Sequence, residues 1–183
     1  MSARMNRGAR MATLAVASLT LAGCALVRVD SYAERGFDVR QYRTYTWGPP
    51  DTWSTGDPRL DNNRFFDERV RMRVEEELKR RGFEKVTTGH ADLTVHYHIN
   101  VAQEVDIRTL DRETSYCPDN ECQPVVYEKG TLFVDLVEPR RARLIWRGWV
   151  EGSIDRVVDN QALMESRIDT AVAKILARLP NRL

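Results

Sequence analysis

The side chains best suited by type and spacing to do chemistry are two histidines in one predicted strand. His96 and His98 are two residues apart, so both imidazoles point to the same side of an extended chain, and His90 lies shortly before them. Imidazole binds zinc and exchanges protons near neutral pH. No cluster of carboxylates accompanies the pair in the sequence, and surface histidines explain the pattern more simply. We therefore predict no metal site and no catalytic residue.

Cys24 follows a segment with the parts of an export signal. Three arginines lie within the first ten residues, and the apolar run at 11–20 is shorter than the roughly 20 residues that span a bilayer. The sequence LAGC at 21–24 resembles the lipobox of bacterial lipoproteins, in which the leader is cut before the cysteine and the thiol receives the lipid. The resemblance implies a signal peptide over residues 1–23 and a lipid on Cys24. An ordinary cysteine after an ordinary leader is the alternative.

The residue after the lipidated cysteine sorts such proteins between membranes. Here it is Ala25, and the resemblance assigns inner-membrane retention to aspartate at this position. It therefore implies a bacterial outer-membrane protein, anchored by its lipid and facing the periplasm. Acyl chains contribute about 0.8 kcal/mol per buried methylene, so several chains hold a protein stably.

Two further cysteines, Cys117 and Cys122, form an even pair, as suits an oxidising compartment. The sequence CPDNEC places turn-forming residues between them. A disulfide closing so short a loop contributes about 2 kcal/mol in the chain-entropy model. A metal or redox pair is the alternative, but no second Cys or His pair lies at zinc-site spacing. We predict that the two cysteines form a disulfide.

Charge and motifs exclude two classes of function. The chain has 28 basic and 27 acidic side chains, and loss of the three leader arginines leaves 25 against 27, so no excess of positive charge favours nucleic acid. The basic run at 139–143 is explained by a solvated turn, with contact to anionic lipid headgroups as the alternative. GxSxG, HExxH and phosphate-loop motifs are absent from the sequence. We predict no enzyme activity and no cofactor.

A β-hairpin is predicted over residues 130–152, because apolar residues alternate along both halves of this stretch. These residues are Leu132, Val134 and Leu136, then Leu144, Trp146, Gly148 and Val150. With Val137 opposite Arg143, both apolar sets fall on one side. The same register places Phe133 opposite Arg147 on the other side, where a cation can lie over the ring.

Two amphipathic helices are predicted from apolar residues that recur every third or fourth position. The first begins at Asp61 or Asn62 and runs to Arg81, with a solvated charged face over its last two turns. The second begins after Asp159 or Asn160, and the proline that follows its last turn ends it.

The order of elements is strand, helix, strand, hairpin, helix. Residues 91–103 alternate as a strand with one buried face, and residues 25–40 form an edge strand or a tether. We predict an α+β fold, a two-layer sandwich in which a mostly antiparallel sheet of four or five strands carries both helices on one face. Residues 24–183 are predicted to be a single domain with a short N-terminal tether.

Three stretches resemble the DUF4136 family of bacterial lipoproteins. They are FDVRQYRTYTW at 37–47, GTLFVDLVEPRRARLIWRGWVEG at 130–152 and RIDTAVAKILARLP at 167–180. The resemblance covers nearly the whole chain after the leader, and CPDNEC lies outside it. It implies an α+β fold and a lipid anchor. The function of the family is uncharacterised, so no catalytic residue carries over.

We therefore expect a non-catalytic interaction or structural module of the cell envelope, attached to the membrane by its lipid and able to bind an envelope protein. The alternative is a carrier of lipid or a small molecule, or an auxiliary lipoprotein of an envelope transport system; that rests on fold analogy alone. A cavity between the sheet and the helices, lined by Trp47, Tyr97 and Trp146, would favour carriage, and a filled core would favour a binding module.

Lipidation can be tested on the mature N-terminal peptide. Mass spectrometry should find a peptide that begins at Cys24 and carries added acyl mass, and a Cys24→Ser variant should lose both the cleavage and the added mass. An unmodified cysteine in the native protein would refute the lipobox interpretation.

Overall fold

The computed structural model describes residues 28–50, 52–87, 90–105 and 126–182. In these ranges the strands are β1 Arg28–Ala33, β2 Thr44–Trp47, β3 Glu84–Lys85, β4 Leu93–Val105, β5 Val126–Glu138 and β6 Arg143–Ser153. The helices are a 3₁₀ turn at Val39–Gln41, α1 at Arg64–Arg80 and α2 at Gln161–Leu176. The three cysteines, Cys24, Cys117 and Cys122, lie outside the described residues, so the predicted lipid site and disulfide stay predictions.

The strands form one mixed sheet in the order β1-β6-β5-β4-β2-β3. The α+β class is confirmed, but the expected sheet of four or five mostly antiparallel strands is wrong in detail. The observed sheet has six strands, and β2 runs parallel to both β3 and β4. The parallel pairs arise because α1 carries the chain back along the sheet before β3 and β4 begin. The two-residue β3 is too short to show any alternation in the sequence.

The sequence left open whether residues 25–40 form an edge strand or a tether, and β1 lies within this stretch. It pairs antiparallel with β6 from Arg28 opposite Glu151 to Ala33 opposite Trp146. The described chain therefore begins as an edge strand of the sheet.

α1 begins one or two residues later than expected. Its N-cap is Asn63, whose side chain accepts a hydrogen bond from the Phe66 N–H at 3.0 Å. Asn62 has a positive φ of 57°, and Asp61 accepts a hydrogen bond from the Thr55 N–H, so neither can cap the helix. At the other end Gly82 takes the left-handed conformation with φ of 81°, as predicted.

The core lies between the helices and one face of the sheet. Its fully buried side chains include Val70, Val74 and Leu78 of α1, Val172, Ile175 and Leu176 of α2, and Val95, Val134, Leu136 and Trp146 of the sheet. The opposite side of the sheet is called the outer face below. It carries His96, His98, Phe133, Asp135, Arg147 and Trp149, which alternate with the core residues.

The helices are also joined by charged groups. Arg69 of α1 donates to Asp169 of α2 at 2.8 Å and lies 2.6 Å from Glu165. Glu77 is buried and accepts a 2.8 Å bond from Arg81. The predicted solvated face at the end of α1 is therefore partly internal, since Glu77 can be buried only with cations beside it.

The hairpin register differs from the expected one. Arg143 pairs with Glu138, and a β-bulge between the pairs Val137–Leu144 and Leu136–Trp146 leaves Ile145 as an extra residue. The shift at the turn and the bulge add up to two residues, which restores the match of the apolar faces. Ile145 is thereby buried, where Leu144 was expected to be.

Trp146 is the large side chain on which the hairpin packs, and it is only 1% exposed. A Cβ at Gly148 would lie 2.5 Å from its ring, so the adjacent glycine makes room for the indole. Trp146→Ala should cost about 3 to 5 kcal/mol of unfolding free energy because it leaves a large cavity.

The paired variant for comparison is Cys117→Ser with Cys122→Ser, which should cost no more than about 2 kcal/mol because it opens only a short loop. Urea unfolding of both variants gives the order. If the double serine variant lost more unfolding free energy than Trp146→Ala, the prediction that the cysteines close only a short loop and that Trp146 supports the core would be wrong.

Candidate functional site

The candidate site is a cavity where the chain between β2 and α1 crosses the edge of β4. β2 pairs with β4 only as far as Val95, whose carbonyl accepts from the Gly48 N–H at 2.9 Å. The crossing chain meets β4 again at Thr55, whose carbonyl accepts from the Val101 N–H at 2.7 Å. Between these bonds lies a space of about 530 Å³, called the loop cavity below. Its size is within the range of small-molecule sites.

Two glycines allow the loop to lie this close to β4. A Cβ at Gly56, which has φ of 88°, would be 2.4 Å from the Val101 carbonyl oxygen. A Cβ at Gly48 would overlap the His96 ring at 2.0 Å. Larger residues at either position would push the loop away from the strand and change the cavity.

Charged groups hold the loop in place. Arg59 lies 2.6 Å from the buried Asp57, 3.0 Å from Glu128 of β5 and 3.0 Å from Asp159 before α2. The hydrogen bond from Arg59 is the main reason that the pKa of Asp57 is below its ordinary value. The backbone N–H of Thr55 likewise lowers the pKa of Asp61. Both carboxylates therefore stay ionised and bound to the loop.

Aromatic side chains line the loop cavity. Trp47, Trp53, Phe66 and Tyr97 all face it. Trp53 is 82% exposed at its mouth, and Trp47 meets Tyr97 edge-on with ring centres 6.4 Å apart. Of the three residues expected around a cavity, Trp47 and Tyr97 line this one, while Trp146 is packed in the core.

Arg71 is the functional candidate that the sequence reasoning missed. Its guanidinium carbon lies 4.6 Å from the centre of the Trp47 ring, and its Nε donates to Asp67 at 2.8 Å. Tyr97 donates to the same carboxylate oxygen at 2.7 Å. Within the described part of the chain, the two terminal nitrogens of Arg71 have no hydrogen-bond partner. The available signal was the spacing of four between Asp67 and Arg71 on a helix.

The predicted histidine pair lies at the border between the loop cavity and the outer face. His96 and His98 line the cavity, with their rings parallel and 6.4 Å apart. His98 Nε2 is 3.5 Å from Asp135, a carboxylate that the sequence did not place there. His90 is exposed and precedes β4. Among the described residues no group of three metal-ligating side chains is present.

Asp135 is the buried charge of the outer face, at 4% exposure. Arg147 Nε donates to it at 2.7 Å, and the guanidinium carbon of Arg147 lies 5.4 Å from the centre of the Phe133 ring. Burial raises the pKa of Asp135, but the hydrogen bonds from Arg147 and His98 outweigh burial and hold it below its ordinary value. The expected contact between Phe133 and Arg147 exists, although the residue directly opposite Phe133 is Trp149.

The lowered pKa of Asp135 predicts an acid-sensitive contribution to stability. Its ionised form stabilises the fold above the unfolded-state pKa of about 4, and this stabilisation is lost as the pH falls through the lower folded-state pKa. Asp135→Asn should cost about 1 to 3 kcal/mol at pH 7, because Arg147 loses its partner, and should flatten the fall in stability below pH 4.

Urea unfolding from pH 7 down to pH 3 measures this effect. Asp38→Asn, which breaks an exposed pair with Arg40, is the control and should change stability much less. Equal pH profiles for the native protein and Asp135→Asn would refute the assignment.

Similar folds are found among solved structures at low sequence identity. A PDZ domain protein from Parabacteroides distasonis ATCC 8503 has a TM-score of 0.54 at 12% identity over 84% of this chain, which spans only 36% of that protein. PelC from Paraburkholderia phytofirmans, a dodecamer, has a TM-score of 0.48 at 12% identity, covering 86% of this chain and 100% of PelC. A DUF4136 family protein from Bacteroides thetaiotaomicron VPI-5482 has a TM-score of 0.44 at 10% identity, with 80% and 94% of the two chains covered.

No curated protein matches the sequence. The family model described as a domain of unknown function, DUF4136, matches residues 29–181. That match includes every helix and nearly every strand residue described above, so the chain belongs to the DUF4136 family.

Proposed function

We propose that this protein is a lipid-anchored protein of the bacterial outer membrane that faces the periplasm and acts as a non-catalytic interaction or structural module. The lipobox-like LAGC at 21–24 and Ala25 after it support the anchor and the membrane. The domain would be tethered closely, because only three residues separate Cys24 from the first described strand residue, Arg28.

The observation that carries the proposal is the composition of the outer face. Phe133 and Trp149 lie side by side with ring centres 6.5 Å apart, and neither packs against the core. Arg147 is beside them and is held by Asp135. Aromatic residues and arginine are enriched in protein interfaces. An arginine already fixed by an ion pair loses little freedom when a partner binds. We propose that an envelope protein binds this face.

A second candidate function, carriage of a small molecule, is favoured by the loop cavity. Two of the three aromatic residues that would favour carriage line it. The third residue, Trp146, is packed in the core, which favours the interaction module instead. The two functions depend on different key residues, Arg147 with Trp149 and Arg71 with Trp47, and are tested separately.

The interaction module can be tested with a photo-crosslinking phenylalanine analogue in place of Trp149. After irradiation of intact cells we expect one discrete adduct in the outer-membrane fraction, and its loss when Arg147 is changed to Ala. The matched control places the same analogue at Met72, which is 41% exposed on α1 and should give no adduct.

Three results would contradict the proposal. The first is an adduct of equal yield from both positions, which would indicate unspecific contact. The second is no adduct from position 149. The third is recovery of the protein in the inner membrane on density fractionation.

A further inference from the structure

We propose that the loop cavity binds a small molecule that bears a carboxylate, with Arg71 as the group that receives it. This inference rests on the second candidate function, carriage, and names the chemical class of what is carried.

Arg71 is held in a fixed orientation while keeping donors available. Its plane is supported by the Trp47 ring, and Asp67 accepts from only one of its three nitrogens. Asp67 is itself fixed by Tyr97. Guanidinium groups bind carboxylates through two parallel N–H donors, and a stacked, oriented arginine loses little freedom on doing so. The terminal nitrogens of Arg71 are therefore prepared for a planar group with two oxygens.

The other charged groups in the cavity are already paired, which argues against a cationic ligand. Asp67 accepts from Arg71 and Tyr97, and Asp61 accepts from the Thr55 N–H and the Ser54 hydroxyl. Arg64 at the mouth is 2.6 Å from Glu68. Both oxygens of Asp61 and the Oδ1 of Asp67 already accept hydrogen bonds, so a cation would compete with neighbours that are in place. A carboxylate can bind the terminal nitrogens of Arg71 without breaking any of these bonds.

The rest of a bound molecule would lie against aromatic rings. Trp53 stands at the mouth and Tyr97 lines the wall beside Arg71. The Trp47 Nε1–H donates to Glu75 at 2.8 Å, so this indole offers the cavity its ring and no free donor. A volume of about 530 Å³ is enough for a ring or short chain in addition to the carboxylate.

The test uses three carboxylates, each paired with its neutral amide: benzoate with benzamide, hexanoate with hexanamide, and glucuronate with glucuronamide. Each is titrated into the lipidated full chain, with dissociation constants taken from tryptophan fluorescence. We expect at least one acid to bind at least tenfold more tightly than its amide. This comparison needs no variant, so a folding defect cannot obscure it.

Arg71→Lys keeps the charge but removes the paired donors. It should raise the dissociation constant of the acid that binds best at least tenfold and leave that of its amide unchanged. Arg40→Lys is the matched control, since Arg40 is 73% exposed, is bound to Asp38 and does not line the cavity. It should leave both constants unchanged.

Two results would overturn the inference in distinguishable ways. If acids and amides bind equally, or Arg71→Lys has no effect, the carboxylate assignment is wrong while carriage stands. If none of the six compounds binds, carriage through this cavity is wrong as well.

Discussion

The structure depends on a mismatch between the length of its strands and the length of its helices. β4 and β5 have 13 residues each, roughly 43 Å, whereas α1 with 17 residues and α2 with 16 are only about 25 Å long. The apolar face of the sheet must be covered along its length. The connecting segments therefore supply core residues, and Leu60 and Val157 are buried in the same cluster as the helices. The loop cavity arises where a connecting segment takes the place of a helix.

Connecting segments have no regular ladder of hydrogen bonds, so side chains add to the few backbone bonds that fix their position. Arg59 does this by joining Asp57 in its own loop to Glu128 of β5 and to Asp159 in the connection before α2. Its pKa is raised, chiefly by the hydrogen bond to Asp57, so its charge is constant at any physiological pH. One cation thus ties the two covering segments together. Trp53 lies six residues earlier on the same loop, at the cavity mouth.

Sequence patterns predicted what depends on local periodicity and missed what depends on pairing. The apolar stripes and the Gly82 stop followed from spacing alone. The hairpin register could not, because a bulge at Ile145 leaves no signature in alternation. At the site, Trp47 and Tyr97 were named from their residue type, but their meeting with Arg71 requires the crossing of the loop over β4. The glycines that permit this crossing, Gly48 and Gly56, are recognisable only when Val101 and His96 are seen beside them.

The antiparallel pairing of β1 with β6 places the two ends of β6 at different distances from Cys24. Arg28 lies opposite Glu151, and four residues of chain reach at most about 14 Å, so an anchor at Cys24 would keep that end of the sheet at the bilayer surface. The hairpin turn lies at the other end of β6, eight residues or roughly 27 Å further away. Its exposed Arg140 and Arg141 would stand clear of the lipid headgroups, beyond the Debye length of about 8 Å at physiological salt. Salt would then screen the charges of this turn from the anionic membrane, while molecules on the side away from the membrane could still bind them.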